Sequence, residues 1–135
     1  MRWLLILAVL VAGCSTDLGP NQAEIRAQRE AENVYPKNYK NDLLAFLRTW
    51  LNDPSHIRAG AVSAPMLRDV GHGERYVACL RYNARGTDGT YKGVKTGAAI
   101  YVSGKLDRFL DDKDARGYCA DVRFTAFPEL GRLSR

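Results

Sequence analysis

The chain predicts an α+β domain: one amphipathic helix packed on an antiparallel sheet of four or five strands, preceded by a polar tether. Three observations predict it. Between residues 39 and 51 large apolar side chains recur at helical steps, and from residue 57 onward they mostly alternate with a period of two between turn-forming residues. Ahead of both lies a polar stretch with almost nothing to bury.

The first element is not part of the fold. Met1 and Arg2 lead an apolar run from Trp3 to Val11 that closes on the small residues Ala12 and Gly13, the layout of a secretory signal. At about 1.5 Å per residue the run covers about half of a ~30 Å hydrocarbon core, too short for a stable transmembrane helix. The tetrapeptide Val11-Ala12-Gly13-Cys14 resembles the lipobox of bacterial lipoproteins: an aliphatic residue, two small ones, then the cysteine. The resemblance covers only about the first fifteen residues. It implies lipidation of the Cys14 thiol, removal of residues 1–13 by a type II signal peptidase, and acylation of the new amine. Two or more acyl chains, palmitate among them, anchor a protein stably where one does not. Ser15 stands where an aspartate retains such proteins on the inner membrane of enteric bacteria, so the resemblance implies an outer-membrane anchor facing the periplasm. In size and layout the rest of the chain resembles small proteobacterial lipoproteins of unassigned role, which transfers no activity.

Cutting 13 residues from 135 leaves 122, enough for one small domain and a tether. Without Arg2, 19 of the 20 Lys and Arg residues stand against 15 acidic ones, a balance of +4 that suits anionic headgroups, acidic glycans or acidic proteins. Export removes nucleic acid as a partner. With Cys14 assigned to lipid, Cys79 and Cys119 form an even pair in an oxidising compartment, and a disulfide between them is the default expectation. A redox or metal pair is the alternative, and redox sites typically place their cysteines two residues apart.

Residues 14–36 read as the lipidated tether. Leu18-Gly19-Pro20-Asn21 is turn-like, and Gln22 to Glu32 permits a helix whose only large apolar side chain is Ile25. The domain then spans residues 37–135. Tyr39, Leu43, Phe46, Leu47, Trp50 and Leu51 form one helical stripe, capped by Asn38 or Asn41 and ended by Asn52-Asp53-Pro54. Strands follow at 57–63, 74–83, 92–102, 105–110 and 120–126, with Asp88-Gly89 and Ser103-Gly104 in turns and Asp111 to Tyr118 as a polar loop. In the strongest strand Tyr76, Ala78, Leu80 and Tyr82 share one face, and in the last strand Val122 and Phe124 share the same parity. Cys79 and Cys119 fall at odd positions. The helix is thus expected on the even face and the disulfide across an open odd face.

No catalytic set emerges, so a non-enzyme is the expectation, and no cofactor is implied. Asp112-Lys113-Asp114-Ala115-Arg116-Gly117 imitates the start of a calcium loop, but Arg116 and Arg123 stand where oxygen ligands are required. His56 and His72 have no metal-ligand spacing, so no metal site is assigned; a zinc site joining them to Cys79 and Cys119 would compete with the disulfide. Gly71-His72-Gly73 lacks the further glycine and helix of a phosphate loop. Scattered carboxylates such as Glu74, Asp107 and Asp111 define no pair. The softer signal is a hairpin rich in cations and aromatics: Arg75, Arg81, Tyr82, Arg85, Tyr91, Lys92 and Lys95, residue types that build interfaces and stack on sugars. The same pattern also fits a solvated sheet face with core tyrosines. The reading is a non-catalytic, membrane-anchored accessory module that meets a periplasmic protein or peptidoglycan. An inhibitor of a cell-wall lytic enzyme is the alternative within the binding class, and a small periplasmic hydrolase or metal protein the alternative outside it.

Overall fold

The computed structural model describes residues 19–134, so Cys14 and the signal segment lie outside the described residues. Ten elements follow in order: α1 (Gln22–Glu32), α2 (Tyr39–Trp50), β1 (Asp53–Val62), β2 (Met66–Asp69), β3 (Glu74–Arg85), β4 (Lys95–Val102), β5 (Lys105–Asp111), α3 (Asp112–Cys119), β6 (Thr125–Ala126) and α4 (Pro128–Gly131). The strands form one antiparallel sheet in the order β5-β4-β3-β1-β6, with β2 beside the first half of β3. The α+β class holds. The sheet has six strands where four or five are expected, because β1 and β2 share one flank of β3 and the two-residue β6 closes an edge.

The break between β1 and β2 falls at Ser63-Ala64-Pro65, where Pro65 has no N–H to give to a ladder. Buried Ser63 bridges it. Its backbone N–H donates to the Cys79 carbonyl and its hydroxyl accepts from the Cys79 N–H, both at 2.8 Å. The hairpin between β4 and β5 turns on Ser103 and Gly104, both left-handed at φ 51° and 78°, which matches the strand twist. At the outer edge, β5 carries exposed Lys105, Asp107 and Arg108 and an irregular register against β4, features that blunt pairing with another chain.

Helix α2 buries Leu43 and Leu47 against Ala78, Leu80 and Tyr82 of β3 and against Ala99 and Tyr101 of β4. That is the even face of β3, as the alternation predicts. The C-terminal segment completes the same core: Phe127, Leu130 and Leu133 are buried in it, and the Arg48 guanidinium donates to the Ser134 carbonyl at 3.0 Å.

The odd face is where expectation and structure part. It is not open. Residues 112–119, expected as part of a polar loop, form α3, which covers a second core of Val77, Cys79, Ala98, Ile100, Ala115 and Cys119. Asp111 caps the helix and Asp112 pairs with Arg116 one turn on, at 2.8 Å. The Cys79–Cys119 disulfide is formed inside this core, with the two Cα atoms 5.8 Å apart. The expected last strand shrinks to Thr125–Ala126. Val122 and Phe124 pack on the disulfide side, not under α2, and Arg81 lies 4.0 Å over the Phe124 ring.

Helix α1 has the polar character expected of it: a capping box at Asn21 and Glu24, and no buried residue. Its end is nevertheless attached to the sheet. Glu32 pairs with Arg75 at 2.8 Å, its carbonyl accepts from the Ser103 N–H, Tyr35 meets the Tyr76 ring edge-on at 5.2 Å, and Pro36 is buried. Among the described residues no helix is long and apolar enough to cross a membrane.

Candidate functional site

The antiparallel order brings four chain ends to one rim of the sheet. Asp53 at the start of β1 faces Arg85 at the end of β3, Tyr82 faces Lys95 at the start of β4, and Gly97 faces Asp111 at the end of β5. The end of α2 reaches the same rim with Trp50. Between them opens a cleft of about 200 Å³, floored by Leu51 and Ala84, flanked by Trp50, and bordered by Arg85, Lys92 and Lys95.

Each wall is held in place. Trp50 is 43 % exposed and packs against Phe46 (5.7 Å between centroids) and Phe109 (5.1 Å). The tip of the Phe109 ring reaches Gly97, where a Cβ would stand 2.2 Å from its Cζ, so only glycine leaves room for it. In the loop from β3 to β4 the Asp88 carboxylate accepts from the Thr90 N–H (3.0 Å) and hydroxyl (2.8 Å) and from Lys92 Nζ (2.7 Å). These bonds, the Lys92 ammonium first, hold the Asp88 carboxyl well below the usual carboxylate range.

At the cleft floor the buried Tyr82 hydroxyl donates to Asp111 Oδ1 at 2.6 Å. The other Asp111 oxygen lies 4.0 Å from Lys95, a looser pairing than the other ion pairs of this rim. Burial, and then the bond to Asp111, pushes the Tyr82 hydroxyl far above its ordinary 10.0, and burial does the same for Tyr101. Both tyrosines ionise more readily unfolded than folded. Their stabilising contribution is therefore whole below pH 10 and is lost as pH rises past that value. Tyrosinate absorbance followed with circular dichroism should show these two hydroxyls ionising only as the fold is lost, and Tyr82→Phe should make the alkaline limb shallower. Ionisation of all seven tyrosines with a native spectrum would contradict this.

A second group lies on the outer rim. Strand β1 accommodates extra residues against β3, with His56 and Ala59 both left-handed at φ 56° and 55°. The distortion gathers Asp53, Ser55, His56 and Arg85. A serine, a histidine and an aspartate within reach of one another invite comparison with a hydrolytic triad, but their order differs. The Ser55 hydroxyl lies within hydrogen-bond reach of both Asp53 Oδ1 and, at 3.1 Å, His56 Nδ1. The Arg85 guanidinium donates to Asp53 (2.8 Å), Ser55 Oγ (3.0 Å) and His56 Nδ1 (3.0 Å). A triad needs the imidazole between the other two, ready to take the serine proton. Here the serine stands between the other two, and the imidazole Nδ1 beside its hydroxyl also accepts from the Arg85 guanidinium. The group braces the bulge, and its hydrogen bonds, Ser55 first, lower the Asp53 pKa.

The residues read from the sequence as one cation-rich surface are divided among four places. Arg85, Lys92 and Lys95 meet at the cleft. Arg75 lies at the opposite end of β3 in its pair with Glu32, and Arg81 lies on the disulfide face. Tyr91 turns outward: its hydroxyl donates to the His56 carbonyl at 2.6 Å, and Arg58 stacks 3.9 Å over its ring. Tyr82 is core and cleft floor at once. The sequence reading missed Trp50 and Asp111 as partners of these cations; placing Trp50 only in the helical stripe hid the first, and only strand pairing brings in the second. His72 sits in the turn before β3, far along the strand from His56. Among the described residues no three His, Cys, Asp or Glu side chains gather as metal ligands. Asp112 of the calcium-loop imitation is occupied by Arg116 and by the Thr96 N–H.

No protein-family model, curated protein or solved structure matches the chain.

Proposed function

We propose that this chain is a lipid-anchored accessory protein of a bacterial envelope that binds a periplasmic component in the cleft beside Trp50. The observation that carries the binding role is an indole left 43 % exposed yet held by two rings, next to the cations Lys92 and Lys95 at one end of a disulfide-braced sheet. A rigid, half-exposed aromatic with charged neighbours is the composition of an interface centre. The anchoring role rests on Val11-Ala12-Gly13-Cys14 and its resemblance to a lipobox. In the Asp53–Ser55–His56 group the serine and not the imidazole stands between the other two, and Arg85 engages Nδ1, an order that supports binding over hydrolysis as the work of this rim.

Two measurements in intact cells test the two halves. Labelled palmitate should enter the protein and be lost in Cys14→Ser, which should also leave the membrane fraction. Photocrosslinkers at Trp50 and Lys92 should each yield a specific adduct, and one at exposed Arg123 on the disulfide side should not. Equal adducts from all three positions would remove the cleft as a binding surface. Adducts with a cell-wall lytic enzyme would make the protein an inhibitor, and adducts with peptidoglycan would make it a wall-binding module.

A further inference from the structure

We infer that the cleft is a subsite for a single carboxylated sugar ring, a proposal that rests on the binding role just given and names its ligand chemistry. Size argues first. At about 200 Å³ the cleft is smaller than the ~300–1,000 Å³ of sites for drug-sized molecules, so it takes one ring and not a chain of them. The walls argue next. An indole face offers C–H contact to the apolar side of a pyranose, and the floor of Leu51 and Ala84 is apolar as well.

The charges then select the substituent. The Asp111 carboxylate has one oxygen taken by Tyr82 and by the Asp112 N–H, which leaves the other as an acceptor for a sugar hydroxyl. Lys95, 4.0 Å from that second oxygen, keeps donors for an anion. Lys92, whose half-exposed ammonium also pairs with Asp88 at 2.7 Å, stands across the opening, brought in over Gly86, where a Cβ would lie 2.5 Å from the lysine Cε. On the third side Arg85 lines the cleft with its guanidinium engaged by Asp53, Ser55 and His56, and its buried Nε–H has no hydrogen-bond partner among the described residues. An acceptor for hydroxyls beside two ammonium donors, under an aromatic wall, describes an acidic saccharide better than a peptide, which would need a free strand edge or an extended groove. The hollow between α1 and the turn into β3 is no rival, because its lining holds no Trp, Tyr or Phe to face a sugar ring.

Trp50 provides the readout. The chain has two tryptophans, Trp3 and Trp50, so the full chain carrying Trp3→Phe in detergent reports from the cleft alone. Titration with glucuronate or N-acetylmuramate should change its fluorescence saturably, with a dissociation constant on the order of 1 mM. Salt at about 1 M, where the Debye length is ~3 Å, should weaken binding. Glucose and acetate should each bind roughly tenfold more weakly, the first for want of charge and the second for want of a ring. Lys95→Met and Lys92→Met should each lower affinity for the acidic sugars while leaving the melting temperature in place; if Lys95→Met fails to fold, Lys92→Met carries the test. Equal response to glucose would remove the cations from recognition, equal response to acetate would remove the sugar, and no saturable response to either acidic sugar would overturn the proposal. Trp50 crosslinks to a protein without any sugar response would overturn this inference and leave the binding role standing.

Discussion

Replacing Cys79 and Cys119 together by alanine is expected to cost about 4 kcal/mol, among the largest losses available in this domain. The two residues are 40 apart in sequence, and the chain-entropy account of closing a loop of that length gives roughly that figure. Against a total stability of about 5–15 kcal/mol, such a loss lowers the melting temperature by roughly 15–30 °C. The effect should also be local before it is global. Helix α3 buries only Ala115 and Cys119, and its own sequence carries a glycine, so the bond to the centre of β3 is what holds it on the sheet. Hydrogen exchange on the double variant should therefore speed up first over residues 112–119 and only later over β3 and β4. A variant with an unchanged melting temperature would show that the unfolded chain is already restricted over this loop.

That same helix marks the limit of what the sequence discloses. The even face of β3 is legible because its residues and the stripe of α2 are large: Tyr82, Leu80, Leu43 and Leu47 leave a period of two and a period of 3.6 that nothing else explains. The odd face sets Val77 and Ile100 of the sheet against a helix whose own buried residues are small. Ala98, Ala115 and the two cysteines bury little area each, so Asp112–Cys119 reads as polar, although closeness of α3 to β4 depends on their being small. Val122 and Phe124 share a parity with the α2 face, yet a turn after α3 resets the parity, and counting cannot cross such a turn. The site was legible in part. The cations of the β3–β4 region stand out by composition, but which of them meet depends on which end of a strand each occupies. Arg75 and Arg85 lie ten residues apart along β3 and serve opposite ends. Asp111 enters the cleft through the pairing of β5 with β4, and Gly97 admits Phe109 behind Trp50 through a contact that no spacing encodes.

Leu47→Ala is expected to destabilise the domain by about 2–5 kcal/mol, the range for removing a fully buried leucine where the neighbours cannot close the space. The neighbours here are strand residues fixed by ladders on both sides, so collapse is limited and the upper half of the range applies. Urea unfolding at pH 7 would measure it, with an unchanged slope showing that the loss lies in the folded state. A second consequence separates scaffold from site. Trp50 stands three residues beyond Leu47, within a turn of it, and Phe46 beside Leu47 stacks on the indole at 5.7 Å. A cavity under this turn loosens the base of the cleft wall, so Trp50 emission should shift to longer wavelength at temperatures well below the melting point. Leu130→Ala supplies the control, since Leu130 is equally buried in the same core but belongs to α4 over β1. It should cost a similar amount of stability while Trp50 emission stays as in the parent until unfolding. A shift of equal size in both variants would mean that the wall of the cleft depends on the whole core and not on the last turn of α2.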